Sequence, residues 1–565
     1  MSDISPDLRN NILKAQSVGL QSPSQPFVSY ANVGALLREQ ADKQEQSPFL
    51  IFFDDAGHRM EYSYRDFLEE VCKTANFLVK RGIRRGDRIA TVSHNHSDTV
   101  IQYFAAFMLG AVVVPVNTGE DDRRISYILS NSGCCLAFVR EEYVDRITAL
   151  LSGLPDLKSI VQVGGNPVSE LSHFQSEIEH LPADCTVSTE PALSDEALIV
   201  YTSGTTGLPK GVVLTQYNLL VDAMAIAEWH ELSPDQRMMC VLPIHHVNGT
   251  VVTLLTPLYA GCSVVLNQRF HTEKFFQRIS TERVHVVSVV PTILQFLLHA
   301  KISTDQYALG HFRHIICGAG PLTVELALKF EQEYHLPIIH GYGLSETTCY
   351  SCFLPVELSR SERTRWLSHH GFPSIGVPLP VNEMSIHDES GNELNEGIRG
   401  EIVIRGHNVM KYYFQNPQAN ETTFAHGWFR SGDEGFYTYD DQNRRFFFIT
   451  GRLKELIIRG GVNISPFEID EILMNIPGVH SGITVGFDNE WYGEEVGAYV
   501  KLKDGIALSE GTVIAHCRKF LPFAKCPKVV VFGNDIPVTS TGKYQRNRCK
   551  DLFANWKGTQ FKEKG

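Results

Sequence analysis

The sequence predicts an α/β multidomain fold: a large N-terminal domain of parallel α/β sheets carrying a β-rich subdomain, then a small α+β C-terminal domain. Three observations predict it. In the first part of the chain, apolar runs of strand length alternate with helical patterns, as in parallel sheets covered by helices on both faces. From Ile375 to Ile449 the pattern changes to short strands separated by turn signals. The length of 565 residues also exceeds what one hydrophobic core usually organises.

Taken in order, the first 25 or so residues are polar and end in Ser22-Pro-Ser-Gln-Pro26, which reads as a loose lead-in. Gln102 to Leu109 is a helical apolar stretch closed by Gly110, and Ala111 to Asn117 reads as a buried strand. Segments 135–139, 159–165 and 197–204 repeat the strand theme. Segments 382–394, 400–406 and 444–452 read as antiparallel strands, with turns at 389–392 and 440–443. After Lys454 a helix is marked by Ser465 as N-cap, Pro466 at its first position and Glu468 completing a capping box. Ile469, Ile472, Leu473 and Ile476 share one face of it, and Pro477-Gly478 ends it. The units are therefore 1–29 as lead-in, 30–453 as the large domain with its β-rich part at about 375–453, and 454–565 as the small domain.

Composition narrows the function classes. With 43% hydrophobic and 20% charged residues the chain is not mainly disordered, and a net charge of −13 argues against a nucleic-acid surface. The longest apolar run, Tyr103 to Val116, is too short for a membrane span. The N-terminus lacks a basic start and an apolar signal core, and twelve cysteines show no regular spacing. A reduced, cytoplasmic setting is the expectation.

One loop carries anion chemistry. Thr202, Ser203, Gly204, Thr205, Thr206, Gly207 and, after Leu208-Pro209, Lys210 follow an expected strand. Small residues let backbone N–H groups turn towards an anion, hydroxyls add donors and Lys210 adds charge, a set suited to a polyphosphate. The order is not that of the common P-loop, and a polar turn is the plain alternative.

Tyr201-Thr-Ser-Gly-Thr-Thr-Gly-Leu-Pro-Lys-Gly-Val212 resembles the signature of the adenylate-forming superfamily of acyl- and aryl-CoA synthetases, luciferases and adenylation domains. Four further motifs follow in that family's order: 341–348 (GYGLSETT), 430–437 (RSGDEGFY), 451–470 (GRLKELIIRGGVNISPFEID) and 537–547 (PVTSTGKYQRN). The likeness runs from about residue 30 to about 550 and is greatest to the acyl-CoA synthetases. It implies a β-barrel-like form for the β-rich subdomain and a mobile small domain on a hinge.

The resemblance also implies roles. Gly341, Tyr342 and Gly343 would hold adenine by stacking, with Gly318, Ala319, Gly320 and Pro321 along its edge. Glu346 would hold Mg²⁺ and Thr347 the α-phosphate, while Asp433 and Arg452 take the ribose. Lys543 would bridge the acyl carboxylate and the α-phosphate, Lys454 would be the hinge, and Gly460 and Gly461 would border the coenzyme A tunnel. His246, in Leu242-Pro-Ile-His-His-Val-Asn-Gly249, would stand beside the acyl carboxylate, a packed core histidine being the alternative.

No acidic residue lies between Arg237 and Phe270, where amino-acid-activating relatives keep an Asp, so a fatty or other non-amino acid is expected. Cys349 and Cys352 form an isolated CxxC, better read as pocket lining than as zinc or redox ligands. The implied activity is an ATP- and Mg²⁺-dependent acid–thiol ligase using coenzyme A. A carrier-protein thiol or an amine is the alternative acceptor, and a silent nucleotide-binding scaffold the alternative of another class. Between Cys517 and Gly565 eleven basic residues face three acidic ones, which suggests a segment that attracts phosphorylated substrates.

Overall fold

The computed structural model describes residues 5–19, 21–168, 171–185, 187, 189–202, 208–538 and 544–562. An eight-stranded sheet forms around the parallel strands Val112–Val116, Arg88–Val92, Leu136–Arg140 and Ser159–Val163. They are Val-rich and buried on both faces, as parallel strands under helices must be. Pro115 lacks an N–H, and the ladder from its strand to Glu196–Thr202 is registered only at Val113↔Leu198. The helix Ser97–Leu109 is buried at every residue but Asp98 and stops at Gly110, whose φ of 70° lets its N–H cap the carbonyls of Ala106 and Phe107.

Glu196–Thr202 turns back as the antiparallel strand Lys210–Thr215, with Thr202 opposite Lys210, and Tyr412–Tyr413 adds beyond it. The glycine-rich segment thus lies in sequence between two paired antiparallel strands.

The second sheet has thirteen strands. Six are parallel, Pro48–Phe53, Ser263–Asn267, Arg237–Cys240, Val286–Val289, His314–Cys317 and Ile338–Tyr342. Here the β-barrel-like expectation needs correction. The short strand Cys352–Phe353 pairs antiparallel with Gly341–Tyr342 on one side and Val377–Pro378 on the other. Through that splice Ser374–Pro378, Arg445–Arg452, Phe429–Tyr439, Gly400–Gly406 and Asn382–His387 extend the large sheet, and among the described residues no closed barrel forms.

Two local expectations also change. Residues 5–19 are not a loose lead-in. Ser5 caps and Pro6 opens a helix to Ala15, whose Leu8, Ile12 and Ala15 are buried, while Gln16 donates to the Met410 carbonyl at 2.8 Å. Pro466–Met474 is helical as expected and buries Ile469 and Leu473, but the capping box does not form. Ser465 Oγ donates instead to the Thr450 carbonyl, and Glu468 pairs with Lys525 at 2.7 Å. The side chains found longer-range partners than the local ones the motif offers.

The C-terminal sheet joins Val462–Ile464, Ile457–Arg459, Gly493–Leu502 and Val479–Asn489, with Val529–Phe532 parallel to Gly493–Leu502. Its apolar residues form two clusters separate from the core of the large sheets. Among the described residues no helix is long and apolar enough to cross a membrane.

Gly376 has φ +90°, and a Cβ there would sit 1.9 Å from the Phe353 carbonyl. Gly376→Ala is expected to cost at least about 2 kcal/mol by strain and backbone displacement. Chemical denaturation measures it, and a cost below about 0.5 kcal/mol would contradict the splice described above.

Candidate active site

The strand Ile338–Tyr342 ends at a turn that only glycines can make. A Cβ on Gly341 would meet the Phe353 ring at 2.3 Å, and one on Gly343 the Cys349 carbonyl at 1.8 Å. The turn buries Tyr342, whose hydroxyl donates to Asp433 Oδ2 at 2.7 Å. Asp433 Oδ1 meets Arg452 Nε at 3.2 Å, the two residues being cross-strand partners. Burial, then the Asp433 charge, pushes the Tyr342 phenol well up, and Asp433 is the main cause raising Arg452. Tyr342, Asp433 and Arg452, from motifs far apart in sequence, thus form one connected group.

Ser345–Thr347 is a single 3₁₀ turn that leaves Glu346 half-buried and Thr347 buried. Tyr413 donates its hydroxyl to Glu346 Oε1 at 2.7 Å, and Lys210 Nζ lies 4.6 Å from the centre of the Tyr413 ring. Burial lowers the Lys210 ammonium pKa; the Glu346 charge opposes this and the Lys454 charge adds to it. Lys210, Glu346 and Lys454 are therefore electrostatic neighbours. Ser203, Gly204, Thr205, Thr206 and Gly207 lie outside the described residues, as does Lys543; Thr202 and Lys210, on either side of the former, are cross-strand partners.

Tyr413 was not singled out from the sequence, nor was the segment that carries it. Met410 N donates to the Glu346 carbonyl at 2.8 Å, and the Thr348 hydroxyl donates to the Asn408 carbonyl at 2.6 Å. The latter bond holds Thr348 at φ +62°, unusual for a β-branched residue. The available signal was His407-Asn-Val-Met-Lys-Tyr-Tyr-Phe414, an aromatic and amide-bearing stretch between a strand and a helix, but it names no chemistry by itself.

The other expected residues fall as follows. Gly318, Ala319, Gly320 and Pro321 leave the strand His314–Cys317; a Cβ on Gly318 would meet the Tyr350 hydroxyl at 2.5 Å, and Ala319 takes φ +60°. His246 is half-buried, its ring centre 4.4 Å from that of His245, just before the π-helix Asn248–Leu255. Gly249 is fixed there, since a Cβ would sit 2.5 Å from the Pro243 carbonyl. Gly460 and Gly461 form the tip of a hairpin with φ +56° and +84°; Gly461 faces open space, so backbone sign alone accounts for glycine.

One acidic residue was missed. Asp222, on the helix Gln216–Trp229, is fully buried against the segment after Glu346. Asn408 Nδ2 donates to its Oδ1 at 2.9 Å and Tyr350 N to its Oδ2 at 3.4 Å. Burial pushes its carboxyl up to about 8 against those hydrogen bonds. Nothing in Leu219-Leu-Val-Asp-Ala-Met marks it, because a carboxylate in an apolar helix reads as an exposed position.

A Mg²⁺ ion fits Glu346. The carboxylate has one oxygen engaged by Tyr413 and acceptor capacity left over. Among the described residues no group of three or more His, Cys, Asp or Glu could hold a metal by itself, so substrate oxygens would complete the shell.

The AMP-binding enzyme family matches residues 37–414, and the AMP-binding enzyme C-terminal domain matches residues 468–543. The chain belongs to the AMP-binding enzymes, the adenylate-forming superfamily. It is 31% identical over 521 residues to sulfoacetate–CoA ligase from Cupriavidus necator, covering 92% of this chain and 97% of that one. It is 31% identical over 477 residues to oxalate–CoA ligase from Arabidopsis thaliana, covering 84% and 89%. Among solved structures, ATP-bound MatB from Rhodopseudomonas palustris superposes with a TM-score of 0.82 at 27% identity, covering 93% of this chain and 99% of that one.

Asp222 yields a pH test. Its folded pKa lies above the unfolded value of roughly 4, so the folded state binds the extra proton between about pH 4 and 8 and this contribution to stability falls as pH rises through that window. Asp222→Asn should flatten the decline of melting temperature across pH 5 to 8. A variant with the wild-type slope would show that Asp222 is ionised throughout.

Proposed function

We propose that this chain is an ATP-dependent acid–CoA ligase. A carboxylate oxygen attacks the α-phosphorus of ATP, pyrophosphate leaves, and the acyl-AMP formed is attacked at its carbonyl carbon by the coenzyme A thiol, releasing AMP. The observation that carries the reading is the convergence of Tyr342, Asp433, Arg452, Glu346 and Lys210 around the turn after the strand Ile338–Tyr342.

In this reading Tyr342 offers a ring face to adenine. Asp433 accepts the ribose hydroxyls: each of its oxygens already takes one donor and keeps room for another. Lys210 and the glycine-rich segment before it meet the phosphates, and the depressed basicity of Lys210 reflects a desolvated cation that an anion would relieve. Glu346, steered by Tyr413, would hold Mg²⁺, which supplies charge neutralisation on the phosphates. Thr347 contacts the α-phosphate, and His246 stands at the acyl carboxylate. Lys543 brings its charge to the in-line displacement. The domain from 454 onward turns about Lys454, exchanging Lys543 for Gly460 and Gly461 between the two half-reactions.

The acid is an organic acid without a free α-amino group. Two considerations support this. No acidic side chain occurs in 238–269, and Asp222 is fully buried with its carboxyl pushed up to about 8, so at neutral pH it is mainly uncharged and offers an ammonium no counter-charge. The relatives above are named for sulfoacetate and oxalate, which fits that class.

The test is a mass-spectrometric screen of acids with ATP and Mg²⁺, with and without coenzyme A. Pyrophosphate release with at least one acid and a matching acyl-CoA are expected; pyrophosphate without any thioester would transfer the reading to another acceptor. Lys543→Ala should slow adenylation roughly 10²- to 10³-fold while sparing thioester formation from supplied acyl-AMP. Equal loss in both steps would remove the role given to Lys543. Gly461→Leu should do the reverse, slowing thiolation at least about tenfold with adenylation intact; parallel slowing would argue against the exchange of domain faces.

A further inference from the structure

Away from this site, three sulfur atoms meet under the connector that leads into the strand Glu196–Thr202. Cys72 Sγ, on the helix Tyr64–Lys80, and Cys185 Sγ, on the connector, lie 2.7 Å apart and share a hydrogen bond. Met108 Sδ, on the helix Ser97–Leu109, is 3.2 Å from Cys185 Sγ. A disulfide needs about 2.04 Å between sulfurs, so the thiols have well under 1 Å to close.

The approach is built into the surroundings. Asn76, one turn beyond Cys72 on the same helix, donates its amide to the carbonyls of Pro182 at 3.0 Å and Asp184 at 2.9 Å. On the far side of Cys185, Asn32 donates to the Pro191 carbonyl at 3.1 Å, and Arg38 pairs with Glu190 at 3.5 Å. The connector is thus clamped before and after Cys185, which fixes the face it turns to Cys72.

The two thiols are chemically unequal. Cys72 is buried, only 4% exposed, whereas Cys185 is half-buried and reachable from solvent. The hydrogen bond shared with Cys72 is the main cause holding the Cys185 thiol below its ordinary range, with Arg38 adding to it; the same bond pushes Cys72 up. Cys185 is the sulfur placed to react first and Cys72 the one placed to resolve.

We propose that Cys72 and Cys185 form a dithiol site for reversible oxidative modification, closed to an intramolecular disulfide by small disulfides of the glutathione type. The Cys185 thiolate attacks one sulfur of glutathione disulfide, breaking its S–S bond and releasing one glutathione thiolate. Cys72, deprotonated, attacks Cys185 Sγ in the mixed disulfide, and the second glutathione thiolate leaves. Two electrons pass from the protein thiols to glutathione disulfide, and their two protons end on the two glutathiones. The bond staples the connector to the helix Tyr64–Lys80, upstream of the strand that carries Thr202. The inference is independent of the substrate assigned above.

The experiment uses the full chain, reduced and then incubated with glutathione disulfide, followed by non-reducing peptide mapping and thermal melting. The expected result is one cross-linked peptide pair joining Cys72 to Cys185, about 2 Da lighter than the sum of the parts and reversed by dithiothreitol. A rise of about 2–5 °C in melting temperature should accompany it. Cys72→Ser should stop at a glutathione adduct on Cys185, and Cys185→Ser should leave Cys72 unmodified. A stable adduct on Cys185 in the unaltered chain, no reaction at Cys185, or cross-linking confined to Cys134-Cys135 or Cys349 and Cys352 would each overturn the proposal.

Discussion

Asn408 is the point on which the active-site turn depends. Its amide nitrogen donates to Asp222 Oδ1 at 2.9 Å and to the Tyr350 carbonyl at 2.8 Å; its amide oxygen accepts from Asn382 at 2.5 Å, and its carbonyl accepts from Thr348 at 2.6 Å. One fully buried side chain therefore ties the helix Gln216–Trp229, the strand Asn382–His387 and the turn after Tyr342 into one unit. Such a network is favourable only when complete, because each buried amide left without a partner carries its desolvation cost. Both polar atoms of the Asn408 amide have partners, and its carbonyl holds Thr348 in an otherwise disfavoured backbone conformation next to the single short 3₁₀ turn that carries Glu346 and Thr347.

That rigid turn sets the electrostatics of the site. Two cations, Lys210 and Lys454, act on one another near a single half-buried carboxylate, Glu346, whose free oxygen capacity is directed by Tyr413. Asp433, by contrast, is already matched by Arg452 and Tyr342. The site therefore has a satisfied end, suited to recognising neutral hydroxyls, and an end with excess positive charge, suited to phosphates. The polarity follows from Tyr342 and Arg452, each the last residue of its strand, meeting Asp433 within the strand Phe429–Tyr439.

Much of this was legible in the sequence, for a physical reason. Val112-Val-Val-Pro-Val116 and Gly110 are local signals, and local signals survive without the fold. The capping box at Ser465 failed because Thr450, fifteen residues upstream in sequence, offered a carbonyl that no window around 465 contains. The β-barrel-like expectation failed at Cys352–Phe353, a two-residue splice too short to register as a strand. Asp222, Asn408 and Tyr413 were missed because their meaning lies in partners far away in sequence, 186 residues for Asp222 with Asn408 and 67 for Tyr413 with Glu346, and residue type alone predicts exposure for the first two.

The basic C-terminal segment is the expectation the structure changes most. Lys525 pairs with Glu468, Lys528 with Glu495, Lys550 with Asp488 and Glu494, and Arg546 with Asp470 and Glu455. Those charges are internal counter-charges, so the excess in 517–565 overstates the field available to a phosphate. Arg546 matters for another reason. It is buried and reaches both the helix Pro466–Met474, through Asp470, and Glu455, the residue after Lys454. Lys543 stands only three residues before Arg546 in sequence. Arg459, beside Gly460, is in turn fastened to Glu495, the same carboxylate that holds Lys528. The small domain is thus cross-braced by buried ion pairs that reach from its first residues to the segment around 546. A rotation about Lys454 would carry the Gly460-Gly461 tip and that segment as one piece, which is the mechanical condition for two faces of one domain to serve two successive reactions.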